Sequence, residues 1–236
     1  MAEVIIALDM PRREQALRLV DELGDRAGFF KVGFELFTRE GPDLVEVLRD
    51  LGKKVFLDLK LHDIPKTVGA AVRAAGELGV DLLTVHATGG RAMLDAAREA
   101  KGQGGPRILA VTVLTSLDGA ELGRVWDRSK VQVDDEVLRL ARSAQDAGLD
   151  GIVSSPREVA RLRAELGEGF LLVTPGIRPE GVASGDQVRT ATPSEAVRAG
   201  ANFLVVGRAV TGSAEPAHAL EGILQEVDAA RGVEVR

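Results

Sequence analysis

An acid, a base and an acid fall within six residues, at Asp58, Lys60 and Asp63 of the run Asp58-Leu59-Lys60-Leu61-His62-Asp63. The apolar Val55-Phe56-Leu57 before them reads as a β-strand, so the charges stand at its end. Side chains two apart on a strand share a face, which points Asp58 and Lys60 the same way, about 7 Å apart along the chain at ~3.3 Å per residue. Asp63 falls just past the strand, where a loop can turn it back toward Lys60. Three charges this close are costly to bury unless paired. The spacing fits either a solvated edge strand with a surface ion pair or a preorganised charged site.

Other polar residues also stand at or near strand ends. Asp9 follows Ile5-Ile6-Ala7-Leu8, where it either caps the next helix or faces a site. Lys31 lies between Phe30 and Val32, and a lysine inside a buried strand needs a partner. Val205-Val206-Gly207-Arg208-Ala209-Val210 reads as strand, glycine, arginine, helix. Gly207 lets a backbone N–H approach an anion, and Arg208 adds a planar charged fork. The alternative is a tight turn with a surface arginine. Thr115 and Ser116 follow the fifth strand, and Ser116 equally suits a helix cap. Pro175-Gly176-Ile177-Arg178-Pro179 follows the seventh, and the glycine-containing stretch 180–187 after it reads as a loop. His62, His86 and His218 are the only histidines, and their placement makes no metal site.

The elements that must position these residues recur along the whole chain. Apolar runs at 4–8, 29–32, 54–59, 82–86, 108–114, 151–154, 170–174 and 203–206 predict strands. Helical periodicity follows nearly every one, as at 12–23 and 131–147, and Gly24, Gly52, Gly79, Gly148 and Gly200 stand where helices would stop. Eight such units in 236 residues predict a single-domain (β/α)8 TIM barrel spanning 1–236. A doubly wound sheet is the runner-up, but Leu8-Asp9-Met10 carries no glycine-rich dinucleotide fingerprint. A barrel of this kind places its active site at the C-terminal strand ends, with phosphate after strands seven and eight. Those are the positions the polar residues occupy.

Composition narrows the classes. A net charge of −6 and only one Trp and no Tyr argue against a nucleic-acid-binding surface. No apolar stretch approaches membrane-spanning length, and the N-terminus has neither the basic region nor the apolar length of a signal peptide. A cytoplasmic protein without membrane partners is expected. With no Cys, thiolate catalysis and disulfides are excluded.

The string from Asp58 through Ile64-Pro65-Lys66-Thr67-Val68 closely resembles the signature of the orotidine 5'-phosphate decarboxylase family, in its bacterial form. Ala7-Leu8-Asp9, Lys31-Val32-Gly33, Thr115, the Pro-Gly-Ile-Arg segment and Val206-Gly207-Arg208 match in family order. The resemblance implies a cofactor-free, metal-free carboxy-lyase that converts orotidine 5'-phosphate to UMP and CO2 in pyrimidine biosynthesis. It assigns chemistry to Lys60, Asp58 and Asp63, and ribose contacts to Asp9 and Lys31. Thr115 and Ser116 would meet the pyrimidine; Arg178, Gln187, Gly207 and Arg208 would serve the phosphate end. Asp63, Ile64 and Thr67 would reach a partner's site, which implies a homodimer with shared active sites. A Mg2+-dependent 3-keto-L-gulonate 6-phosphate decarboxylase-like enzyme shares the Asp-x-Lys-x-x-Asp core. The Ile64-Pro65-Lys66-Thr67 continuation favours the nucleotide enzyme. A noncatalytic UMP-binding barrel is a third reading, against which an intact Lys60 between two acids argues.

Overall fold

The computed structural model describes residues 2–129, 131–179 and 190–232. Eight parallel strands close into a barrel in sequence order. They are β1 (Glu3–Ala7), β2 (Phe29–Gly33), β3 (Lys54–Leu61), β4 (Leu82–His86), β5 (Arg107–Val111), β6 (Gly151–Val153), β7 (Leu171–Thr174) and β8 (Phe203–Val206). β1 pairs with both β2 and β8, which closes the ring. The expected (β/α)8 barrel is therefore the architecture.

Every strand is buried on both faces, which is why the strands read as near-continuous apolar runs. Alternate side chains separate into two cores. Ile5, Ala7, Phe29, Phe56, Leu82 and Leu109 belong to a cluster that fills the barrel interior. Their neighbours Ile6, Phe30, Val55, Leu57, Leu83 and Ile108 pack outward against helices in a larger core. Each fully buried side chain of this size contributes on the order of 1.5–3 kcal/mol.

The helices follow their apolar periodicity. The first, Arg13–Leu23, buries Ala16, Leu19, Val20 and Leu23 and stops at Gly24, whose φ of 54° lies in the left-handed region. Helix Val133–Asp146 buries Val137, Leu140, Ala141 and Ala144. A Cβ on Gly148, just beyond it, would meet Arg98 Cδ at 2.9 Å, and its φ is +75°.

Some strand ends differ from expectation. β5 stops at Val111 rather than Leu114. There the amide and hydroxyl of Thr112 both donate to the Val153 carbonyl, at 3.3 and 3.1 Å. Val113 stays buried outside the ladder, so the apolar run outlasts the strand. β3 instead runs beyond Leu59 to Leu61, through an irregularity described below. Among the described residues, no helix is long and apolar enough to cross a membrane.

Candidate active site

Along the first four strands the inward positions change from apolar to polar toward the C-terminal end. On β1, Ile5 and Ala7 lead to Asp9; on β2, Phe29 leads to Lys31. On β3, Phe56 leads to Asp58 and Lys60; on β4, Leu82 leads to Thr84. These ends open on a cavity of about 510 Å3 whose lining includes Asp9, Lys31, Asp58, Lys60 and Thr115. Pro175, Gly176 and Arg178 after β7, and Gly207 and Arg208 after β8, also line it.

Four charges form a chain across this floor. Lys31 Nζ donates to Asp9 Oδ1 at 2.7 Å and stands 3.8 Å from Asp58 Oδ2. Lys60 Nζ donates to the same Asp58 Oδ2 at 2.7 Å. The Thr84 hydroxyl donates to Asp58 Oδ1 at 2.9 Å. Burial alone would raise the Asp58 pKa. The positive charges of Lys31 and Lys60, with hydrogen bonds from Lys60 and Thr84, outweigh burial and hold the carboxyl below its ordinary value. The site thus keeps a buried carboxylate ionised beside an ammonium group.

The strand that carries Asp58 and Lys60 is not regular. Leu57 is in register with Leu83, and Leu61 with Val85, so Asp58, Leu59 and Lys60 lie opposite Thr84 alone. Lys60 takes up the excess with a φ of 48°. The even spacing expected from sequence is replaced by a bulge, which re-aims side chains at a strand end. The expectation that Asp58 and Lys60 meet on one side holds through this bulge.

Lys31 finds the partners its buried position required. Asp9 faces the cavity, while the following helix has Arg12 at its N-cap, so the capping alternative does not hold. Ser116 is exposed, is absent from the cavity lining and is not the cap of the next helix; Asp118 fills that place with a capping box. Thr115 reaches the cavity.

Asp63 does not turn back to Lys60 within this chain. Its Oδ1 accepts the Ile64 amide at 2.6 Å, and among the described residues it makes no ion pair with Lys60. Asp63, Ile64 and Thr67 are all exposed and none lines this chain's cavity. One carboxylate oxygen thus holds the turn into helix Pro65–Glu77, which begins with its proline at the first turn, and the side chain stays exposed. Gln187 lies outside the described residues.

Arg178 is only 8% exposed, and among the described residues its Nε has no hydrogen-bond partner. Its pKa is lowered by burial and then by the charge of Arg208. A shielded guanidinium with an unused donor, near a second arginine, is suited to an anion. The Arg178 backbone is anchored by its amide, which donates to the Ala191 carbonyl at 3.0 Å. Gly207 has an ordinary negative φ of −107°. A Cβ there would meet only Ala7 Cβ, at 3.8 Å, so its lack of a side chain leaves cavity-facing backbone uncovered.

His62 packs on His86 with ring centroids 5.3 Å apart. The His86 pKa is lowered by burial first, then by His62 and Lys60. His218 is exposed on helix Pro216–Arg231. Among the described residues, no three His, Asp or Glu side chains are grouped to hold a metal ion. A second concavity of about 590 Å3 lies on the outer helices. Its arginines are already engaged, Arg91 with Asp95, Arg139 with Glu136, Arg142 with Glu165 and Arg161 with Asp135.

Sequence reasoning missed Thr84, Phe34 and Glu35. The available signal for Thr84 was a hydroxyl at an inward position of Leu82-Leu83-Thr84-Val85-His86, an otherwise apolar strand. Phe34 and Glu35 line the cavity because the chain turns directly into helix Phe34–Glu40 after β2.

Fold and site together define a class: a (β/α)8 barrel with a lysine–carboxylate chain at its strand ends and two arginines suited to an anion. The chain belongs to the orotidine 5'-phosphate decarboxylase / HUMPS family, whose model matches residues 2–223. It is 48% identical to an orotidine 5'-phosphate decarboxylase of Nostoc sp. over 232 residues, covering 95% of this chain and 97% of that one. It is 51% identical to the enzyme of the same name from Nitrosococcus oceani over 228 residues, covering 96% and 97%. The crystal structure of orotidine 5'-phosphate decarboxylase from Lactobacillus acidophilus superposes with a TM-score of 0.86 at 40% identity, covering 97% of this chain and all of that one.

Proposed function

We propose that this protein is a carboxy-lyase that converts orotidine 5'-phosphate to UMP and CO2, the last step of UMP biosynthesis in the cytoplasm. The observation that carries the reading is Lys60 Nζ, 2.7 Å from a carboxylate held ionised at the mouth of the barrel. Breaking the bond from C6 to the carboxylate leaves an electron pair in the ring plane, where the π-system cannot delocalise it. Its stabilisation must be electrostatic, and preorganised charge is often the largest catalytic term. Protonated Lys60 stabilises that pair and gives C6 a proton, which forms the new C–H bond and leaves a neutral amine. Asp58 holds Lys60 in an ion pair beforehand and stands near the departing carboxylate. No resident metal or cofactor is required.

The remaining residues bind the parts of the substrate that do not react. Asp9 and Lys31 hold the ribose hydroxyls, and Thr115, which lines the cavity where Ser116 does not, meets the pyrimidine. Arg178, Gln187, Gly207 and Arg208 grip the phosphate, whose binding energy then supports reaction at C6. Asp63, Ile64 and Thr67 serve the cavity of a second copy, in a homodimer with shared sites. Their exposure supports this, as does the exposure of two large apolar side chains at the strand ends of β2 and β3, Phe34 at 60% and Ile64 at 65%.

The test mixes purified protein and orotidine 5'-phosphate with excess chelator and follows the pyrimidine absorbance. Rapid loss of orotate absorbance is expected, with none for Lys60→Ala although that variant still binds UMP. Full turnover by Lys60→Ala would refute the lysine's role. UMP binding without turnover in the unmodified protein would mark a binding protein. Turnover of a ketosugar phosphate only with Mg2+ would mark the related decarboxylase.

A further inference from the structure

The irregularity of β3 places a single residue of β4 against three residues that include both central charges. That residue is Thr84, with a relative exposure of 0%. Its hydroxyl makes two hydrogen bonds with opposite roles. It accepts the Lys60 amide at 2.8 Å and donates to Asp58 Oδ1 at 2.9 Å. A hydroxyl has one proton to give, so donation to Asp58 uses it fully. One side chain thereby closes a ring through the backbone of one charged residue and the side chain of the other.

We infer that Thr84 is a positioning residue, whose hydroxyl holds the Lys60 backbone in its bulge and turns the Asp58 carboxylate toward Lys60. The inference rests on the decarboxylase reading for its kinetic consequence, while the geometry stands apart from it.

Each bond does separate work. In a regular parallel ladder a β3 amide would donate to a β4 carbonyl. The bulge removes Lys60 from that pattern, and a buried amide without an acceptor is destabilising. The Thr84 oxygen supplies the acceptor and so supports a left-handed φ that a lysine rarely adopts. On the acid, the hydroxyl occupies Oδ1. That leaves Oδ2 to Lys60 at 2.7 Å and Lys31 at 3.8 Å. With one oxygen tethered, the carboxylate cannot rotate away from the lysines without losing a hydrogen bond. Such tethering brings charges into place before the substrate arrives, which is where preorganisation lowers a barrier.

Thr84→Val keeps the side-chain shape and deletes the hydroxyl; Thr84→Ser keeps the hydroxyl. In the absorbance assay kcat is expected to fall about 10- to 100-fold in the valine variant, the range for losing a hydrogen bond to a charged group. Affinity for UMP, which lacks the leaving carboxylate, is expected to stay within about 3-fold. Serine is expected to restore kcat. A purely structural role would lower the melting temperature and leave the pH profile in place. The positioning role instead moves the acid limb to higher pH, because the ionised Asp58 loses a donor. Lys31, Lys60, Asp9 and His86 are the other titratable groups around it, and none is altered.

Carbon-13 titration of the Asp58 carboxyl in both proteins reads the same tether without turnover. An inactive parent protein would therefore overturn the decarboxylase reading, while the titration still decided the role of Thr84. Thr84→Ala carries the same expectations should the valine variant not fold. A variant without the hydroxyl that matches the parent in kcat, acid limb and carboxyl titration would overturn the inference. So would a serine variant as impaired as valine.

Discussion

Lys31→Met probes the charge chain where it is most buried. The Lys31 and Asp58 side chains are only 10% and 13% exposed, with Nζ 3.8 Å from Oδ2. At an effective dielectric of about 20, unit charges at that separation attract by about 4 kcal/mol. Lys60 remains beside Asp58 in the variant, and water can reach part of the vacated volume. The net loss is then about 1.5–3 kcal/mol, which raises the Asp58 pKa from its lowered value. Methionine fills the space of the lysine stem, so a large cavity is avoided. Asp9 also loses its partner, but its side chain is 62% exposed, and water replaces that interaction at little cost.

The consequence has a direction. Asp58 in the parent protein has a lowered folded pKa, so its contribution to stability is present above its unfolded value and disappears as pH falls through the folded one. Raising the folded value shrinks that contribution and brings protonation closer to neutral pH. The acid limb of kcat/KM for orotidine 5'-phosphate should therefore move to higher pH. Lost ribose contacts would lower kcat/KM at every pH and leave the limb in place, so the shape of the profile separates the two effects. An acid limb at the parent's position would refute the claim that Lys31 holds Asp58 ionised.

Two further predictions concern the ends of the substrate and of the site. Arg208→Ala should raise the barrier for orotidine 5'-phosphate by about 1.5–3 kcal/mol, the worth of a charge-assisted hydrogen bond. The corresponding nucleoside should be nearly unaffected; equal losses of kcat/KM for both would count against a phosphate contact. Ile64→Asp places a charge on an exposed apolar side chain and should shift sedimentation from dimer toward monomer, with activity falling in parallel. A parent protein that sediments as a monomer at assay concentration would dispose of the shared-site proposal.

Much of the architecture is local information. Strand and helix periods are set by neighbours two to four residues apart, so the apolar runs and the helices after them are readable in order. Parallel strands buried on both faces, separated by such helices, leave few arrangements besides a closed barrel. Polar residues at the strand ends, with Asp58, Lys60 and Arg178 among them, were legible for the same reason.

The contacts between those residues were not. Thr84 meets Asp58 across 26 positions of sequence, and Lys31 meets Asp9 across 22, because barrel closure sets both distances. The bulge at Lys60 is a difference in register between two strands, and neither strand carries it alone. Asp63 shows the same limit from the other side: its spacing from Lys60 allows a return to the site, but within this chain it stays exposed, with one oxygen accepting the Ile64 amide. The sequence by itself determined which groups reach the mouth of the barrel. Which of them touch was decided by tertiary structure, since a charge acts over a few ångströms that chain closure, not neighbouring residues, establishes.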